Sequence, residues 1–318
     1  MNSPTVPHVP ASSDQQRAAE AVPAPRGRRR RLRGFDRIAV VLMVAVPFVM
    51  VLAWVWLPAM ASVVLSFTNW DGIGGLNTIK WIGTENYVNV FTNYPPFEPA
   101  IEHNFLWLGV LFLIATPFGM LLAVLVDREL KGSRFYQTAF YLPVVLSLAL
   151  IGFIWQLIYS QDQGLINNVF GTHVDWYGDP SVNIWAVLVA ASWRHAGYIM
   201  LLYLAGLKGV DPTLREAAQV DGATEWKTFR RVVFPVLRPI NLIILVVTVI
   251  EAIRAFDLVW VINKGRNGLE LIGALVTNNV VGEASRIGFG SALATVMLVV
   301  SLIFITIYLT IVAREDKR

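Results

Sequence analysis

The chain contains no cysteine, so disulfides and thiolate metal sites are excluded. It is also poor in charge. Only 15% of its 318 residues are Asp, Glu, Lys or Arg, against about 25% in soluble domains. The four histidines are isolated from one another, and His8 lies in an N-terminal tail. No H-E-x-x-H, no G-x-S-x-G and no Cys/His cluster occurs, which leaves no constellation for zinc or serine hydrolysis. The phosphate-cradling pattern G-x-x-x-x-G-K-[ST] is missing as well, so the chain has no P-loop with which to bind ATP. An enzyme reading has nothing to rest on.

What fills the space is apolar: 55% of the residues are hydrophobic and the mean hydropathy is +0.56. This is the composition of a membrane protein. A span needs about 20 apolar residues, and the candidates are Ile38–Phe67, Asn104–Val126, Tyr136–Tyr159, Asn183–Leu207, Ile240–Ile262 and Gly288–Ala313. Six spans put both termini on one side. The tail, residues 127–135, residues 208–238 and the C-terminal residues 314–318 together carry 20 Lys/Arg, and the loops opposite carry four. By the positive-inside rule, both termini are cytoplasmic in a multi-pass cell-membrane protein. Trp70, Trp81, Trp176 and Tyr177 sit in the outer loops like interfacial anchors.

The net charge of +4 does not point to nucleic acid. Residues 1–37 hold eight Lys/Arg and three Asp/Glu, and the remainder holds 18 and 19. The basic excess therefore belongs to a Pro-, Ala-, Ser- and Arg-rich tail that is expected to be disordered. Its Arg28–Arg33 cluster suits a topology signal or contact with anionic lipid. The uncharged run Ile38–Trp70 is too long for a signal-peptide core of about 7–15 residues and is expected to remain as a span.

The longest polar break with an excess of cations is 207–239, LKGVDPTLREAAQVDGATEWKTFRRVVFPVLRP. Asp211-Pro212 reads as a helix start, because Asp caps free N–H groups and Pro is tolerated at the first helical position. Leu214, Ala217 and Ala218 share one face. Asp221-Gly222 ends the helix, since Gly adopts a left-handed backbone at little cost. Thr224 caps a second helix with Trp226, Phe229 and Val233 on one side, and Pro235 and Pro239 close the unit. The result is a cytoplasmic helix–turn–helix at 208–238 that carries Arg215, Lys227, Arg230 and Arg231.

Glu216-Ala217-Ala218, three residues, Gly222, nine residues, Val232-x-Phe234-Pro235 resembles the EAA loop of inner-membrane permeases of binding-protein-dependent ABC importers. The family pattern is EAA-x3-G-x9-I-x-L-P. The spacing matches throughout, with Val232 for Ile and Phe234 for Leu. Further stretches resemble the carbohydrate branch of that family: Phe67-Thr68-Asn69-Trp70, Gly83-x-x-Asn86-Tyr87, Tyr141-Leu142-Pro143, Trp193–Tyr198, Tyr203–Leu207, Ala255–Trp260 and Gly288–Ala292. The resemblance covers roughly residues 38–313. After the fifth span the family usually shows Gly-Gly-Pro, where this chain has Asn263-Lys264-Gly265-Arg266-Asn267-Gly268.

The resemblance implies a type I ABC importer permease fold, all α, with six transmembrane helices. It implies no cofactor in this subunit, ATP being bound by a partner ATPase. It also implies the partners: a second, homologous permease, a dimer of cytoplasmic ATPase subunits and an extracytoplasmic sugar-binding protein. Glu216, Ala217, Ala218, Asp221, Gly222, Trp226, Phe229 and Pro235 become the ATPase-coupling residues. Glu216 pairs with a basic group either on the ATPase or on the loop's own arginines.

Ionisable residues inside spans cost at least about 2.5 kcal/mol each and are functional candidates by default. Arg194, with His195 beside it, falls near the middle of the fourth span, and Glu251, Arg254 and Asp257 recur along the outer half of the fifth. Sugars call for carboxylates toward hydroxyls and aromatic faces toward C–H surfaces. Trp193, Arg194, Tyr198, Glu251 and Asp257 accordingly outline a substrate path. The competing reading makes Glu251–Arg254 or Arg254–Asp257 a structural ion pair. A glycerol-3-phosphate cargo would recruit Arg194 and Arg254 as ligands, and a polyol is a further alternative. An ion-coupled secondary transporter would need inverted repeats with broken helices, and no repeat between the halves is evident.

The chain's lack of cysteine makes its topology easy to test. A single cysteine at Asp175 is expected to react with an impermeant thiol reagent from outside the cell. Reaction from the cytoplasmic side alone would contradict the assignment.

Overall fold

The computed structural model describes residues 34–73, 75–128, 132–282 and 285–315. The tail 1–33 with its Arg28–Arg33 cluster, and residues 316–318, lie outside the described residues. The chain divides into two units, Met1–Leu57 and Pro58–Arg318. In the first unit, the large apolar side chains from Ile38 to Leu57 stand exposed. That is the surface a lipid-facing helix needs.

The described residues are helical apart from loops and one isolated bridge between Thr68 and Trp81. The elements are α1 (Ile38–Leu65), α2 (Glu85–Thr92), α3 (Phe97–Asp127), α4 (Ser133–Val145), α5 (Leu148–Ile158), α6 (Leu165–Phe170), α7 (Asn183–Lys208), α8 (Pro212–Val220), α9 (Glu225–Val236), α10 (Arg238–Ile253), α11 (Asp257–Asn263), α12 (Ile272–Val280) and α13 (Ile287–Glu315). Four helices are long and apolar enough to cross a membrane: α1, α3, α7 and the part of α13 up to Thr310. Two bent pairs pass the same test together: α4 with α5, at 107°, and α9 with the run from Arg238 to Asn263, at 72°.

Two of the expected spans are thus not straight helices. The third breaks at Leu146–Ser147, where Leu146 turns extended and the Ser147 hydroxyl accepts from Leu150 N at 3.2 Å to start α5. The fifth is interrupted at Arg254–Phe256, with Phe256 at φ −153°, ψ −52°. The interruption frees backbone groups that lipid cannot satisfy, and Asn104 of α3 supplies partners. Its Nδ2 donates to Ala252 O at 2.9 Å, and its Oδ1 accepts from Ile272 N at 3.0 Å. One amide therefore ties α3 to the end of α10 and the start of α12. The second span also starts earlier than expected, at Phe97, and α2, α6 and α12 are short helices within what had read as outer loops.

The core of the second unit is built on α3 against α7. A Cβ on Gly119 would stand 2.6 Å from Ala196 O, so this contact requires glycine. Around the α10–α11 break, Trp107, Leu111, Ile151, Val187, Leu188 and Val259 form one apolar cluster. Toward the loop, Leu122, Ile199, Met200, Tyr203, Leu237 and Ile244 form another. Between the two, α3, α7 and α10 contribute Thr116, His195 and Thr248, all buried. Gly119→Leu is expected to push α3 and α7 apart and destabilise the protein by roughly 1–3 kcal/mol or more, as overpacking does. A lower thermal midpoint in detergent would show this, and an unchanged midpoint would contradict the packing.

Candidate functional site

The polar layer is centred on Glu251 of α10. Its Oε1 accepts from Arg194 Nη1 at 2.8 Å, and its Oε2 faces His195 Nδ1 at 2.9 Å. Facing a carboxylate, Nδ1 carries the proton. On its other side, His195 Nε2 lies 3.2 Å from Thr248 Oγ1 and 3.4 Å from Thr116 Oγ1, hydroxyls that can donate to it. Four side chains from three helices thereby satisfy Glu251 and His195 without water.

A cavity of about 490 Å³ opens beside this layer, at the break between α10 and α11. Arg194, Tyr198, Glu251 and Asp257 line it, together with Trp107, Arg254 and Phe256. Trp193 is not among the lining residues; its ring meets Trp155 edge-on at 5.8 Å. The expected pairing of Arg254 with Glu251 or Asp257 does not form: among the described residues neither Arg254 nor Asp257 makes an ion pair, and both are exposed. The reason is geometric. The i, i+3, i+6 reading assumed one continuous helix, and the break falls between Glu251 and Asp257. Trp107, Phe256, Thr116, Thr248 and Asn104 were not picked out from the sequence. A lone hydroxyl or amide within each apolar run was the available signal.

The loop residues lie elsewhere, on α8 and α9. Asp211 Oδ1 accepts from Thr213 N at 2.9 Å and Thr224 Oγ1 from Lys227 N at 3.4 Å, so each helix has its cap. The Thr213 backbone N–H, and then its side chain, hold the Asp211 carboxyl below the usual carboxylate range. Gly222 has φ +75°, and a Cβ there would meet nothing within 4 Å; only its backbone conformation calls for glycine. Glu216, Ala217, Asp221, Trp226 and Pro235 are exposed, Phe229 is half-buried and Ala218 is buried. Val220 and Trp226 are 87% and 68% exposed, and Trp226 stacks near Phe229 with ring centroids 6.1 Å apart. Glu216 bonds to none of the loop's own arginines among the described residues, and Arg215 instead reaches Asp127.

Comparison with known proteins adds three findings. Residues 115–317 match the family described as the binding-protein-dependent transport system inner membrane component. The chain is 30% identical over 275 residues to the xylose/arabinose import permease of Haloferax volcanii, covering 83% of this chain and 84% of that one. It is 28% identical over 278 residues to a probable permease for starch degradation products from Thermoanaerobacterium thermosulfurigenes, covering 85% and 92%. Its fold is that of a chain in the crystal structure of a bacterial ABC transporter that imports the acidic polysaccharide alginate, with a TM-score of 0.75, 21% identity, and 88% and 96% of the two chains covered.

The geometry separates structural from unpaired charge. Glu251→Ala would leave Arg194 and His195 without their acceptor, and is expected to cost on the order of 3 kcal/mol of stability. Asp257→Ala breaks no ion pair and is expected to stay within about 0.5 kcal/mol. Equal thermal midpoints for the two variants in detergent would contradict this division.

Proposed function

Because the chain belongs to the binding-protein-dependent inner-membrane transport components, we propose that it is the permease subunit of an ATP-driven importer for a sugar or short oligosaccharide. The observation that carries this reading is the cavity at the α10–α11 break. It offers the rings of Trp107, Tyr198 and Phe256 and the carboxylate of Asp257, the group types that sugar C–H faces and hydroxyls require. Its volume lies within the range of small-molecule sites.

The charge balance favours neutral cargo over a phosphate ester. Arg194 is held by Glu251, which leaves in the cavity wall, among the described residues, one cation without an ion-pair partner, Arg254, and one such carboxylate, Asp257. A dianion would need more than that. Named functions of the relatives point the same way: the permeases above serve xylose/arabinose and starch products, and another relative, from Rhizobium radiobacter, serves lactose.

Counting α4 with α5 as one span and the run from Arg238 to Asn263 as another gives six spans with α1, α3, α7 and α13; both termini and the α8–α9 loop then share one side, which the Lys/Arg distribution makes the cytoplasm. ATP is bound and hydrolysed by a separate ATPase dimer that docks on this loop. Two features support the docking. The exposed apolar residues Ala217, Val220 and Trp226 have no cover among the described residues, and Glu216 is left to meet a basic group on the partner. A second, homologous permease and an extracytoplasmic sugar-binding protein complete the machine. A solved relative is known in complex with an alginate-bound periplasmic protein. Broken helices also occur in ion-coupled carriers; membership of this family favours the importer.

Gly222→Val and Glu216→Arg test the coupling. Valine at φ +75° is strained by roughly 1 kcal/mol, enough to turn α9 away. Both variants are expected to insert normally while losing co-purification of the ATPase or sugar-stimulated ATP turnover in proteoliposomes. Wild-type values in both would remove the role from this loop, and uptake that persists without any ATPase would remove the ATP-driven reading.

A further inference from the structure

The end of α3 carries an arrangement that the loop motif does not account for. Asp127 is the last residue of α3, and its carboxylate sits at the negative end of the helix dipole, where a cation would be favoured. Its side chain is only 10% exposed. Two cations compensate it. Arg215 Nη1 of α8 donates to Oδ2 at 3.0 Å, and Lys208 Nζ, at the last residue of α7, lies 3.4 Å from Oδ1. Arg215 Nη2 also reaches Leu207 O at 3.3 Å, on the last turn of α7. One carboxylate therefore joins the ends of two spans to the first helix of the loop.

Among the described residues, α8 itself adds little to this hold. Ala218 is its buried residue, and a cavity of about 170 Å³, lined by Val124, Leu207, Gln219 and Phe229 among others, lies beside the clamp. The nearby Arg128–Glu225 pair, at 2.7 Å, is 52% and 76% exposed, and pairs of that kind contribute little. The two spans that Asp127 grips both contribute to the cavity wall beside α10 and α11: α3 carries Trp107, and α7 carries Arg194 and Tyr198. From Lys208 to Arg194 the helix runs about 20 Å without a break, long enough to act as a lever.

We propose that Asp127 is a positioning residue for coupling: its clamp on Arg215 and Lys208 passes movement of the α8–α9 loop into α3 and α7. This rests on the reading of that loop as the ATPase dock. The experiment uses the whole transporter in proteoliposomes, with Asp127→Asn, Arg215→Gln, the double variant, and Arg128→Gln as a control. In Asp127→Asn and Arg215→Gln, the ATPase is expected to co-purify normally and to keep its basal hydrolysis. Uptake per ATP hydrolysed is expected to fall roughly tenfold. The double variant should be no worse than either single one, because both break the same link, and Arg128→Gln should match the wild type. Wild-type uptake per ATP in the two single variants, additive losses in the double, or loss of the ATPase from Asp127→Asn complexes would each overturn the proposal. Failure of the wild-type chain to hold any ATPase would instead overturn the docking assignment itself.

Discussion

Glu251 lies where α3, α7 and α10 meet, and its carboxylate is shared by Arg194 and His195. In lipid, no water is available to satisfy a stray charge or a stray backbone group, so each polar atom in the bundle needs a partner from the chain. The Thr116 and Thr248 hydroxyls complete His195, and the Asn104 amide completes the broken end of α10. Once these groups are spoken for, Arg254 and Asp257 line the cavity with no ion-pair partner among the described residues. The constraint that fixes the bundle thereby also marks which charges are available to a ligand.

The same economy explains the loop end of the bundle. α8 and α9 leave much of their apolar surface uncovered, yet their geometry is set by local devices: Asp211 and Thr224 as caps, and Gly222 at the turn. A unit that is internally rigid and open on one face is suited to receiving a partner. Its hold on the membrane part combines the Asp127–Arg215 contact with the packing of Phe229 and Val233 against the apolar cluster of α3 and α7, so a force applied to the loop arrives at the ends of those helices.

Much of this was legible in the sequence. The loop helices, their caps and the left-handed glycine follow from local residue chemistry, and the structure shows each of them. Arg194, Glu251 and Asp257 are marked by the cost of charge in lipid and Tyr198 by its aromatic face, and all four line one cavity. What could not be read was pairing. The competing reading pairs Arg254 with Glu251 or with Asp257 on one apolar run, but the partners of Glu251 come from α7, 56 and 57 residues away in sequence. The break at Arg254–Phe256 carries no Pro or Gly to announce it. Its freed backbone is met by Asn104, a long-range contact from α3, whereas at the 107° bend between α4 and α5 the Ser147 cap is local. Trp193 lies one residue from Arg194, and a helix turns by about 100° over that step, so composition alone could not say which of the two faces the cavity.

The central claim is that cargo passes through the cavity beside Glu251, driven by ATP hydrolysed at the cytoplasmic loop. Its most direct test is the reactivity of a single cysteine at Tyr198 in the otherwise cysteine-free chain, within the assembled transporter. The thiol is expected to be reached from one side of the membrane at rest and from the other when ATP hydrolysis is arrested, and to be protected by the transported sugar. Reactivity that is indifferent to both sugar and ATP would contradict the account.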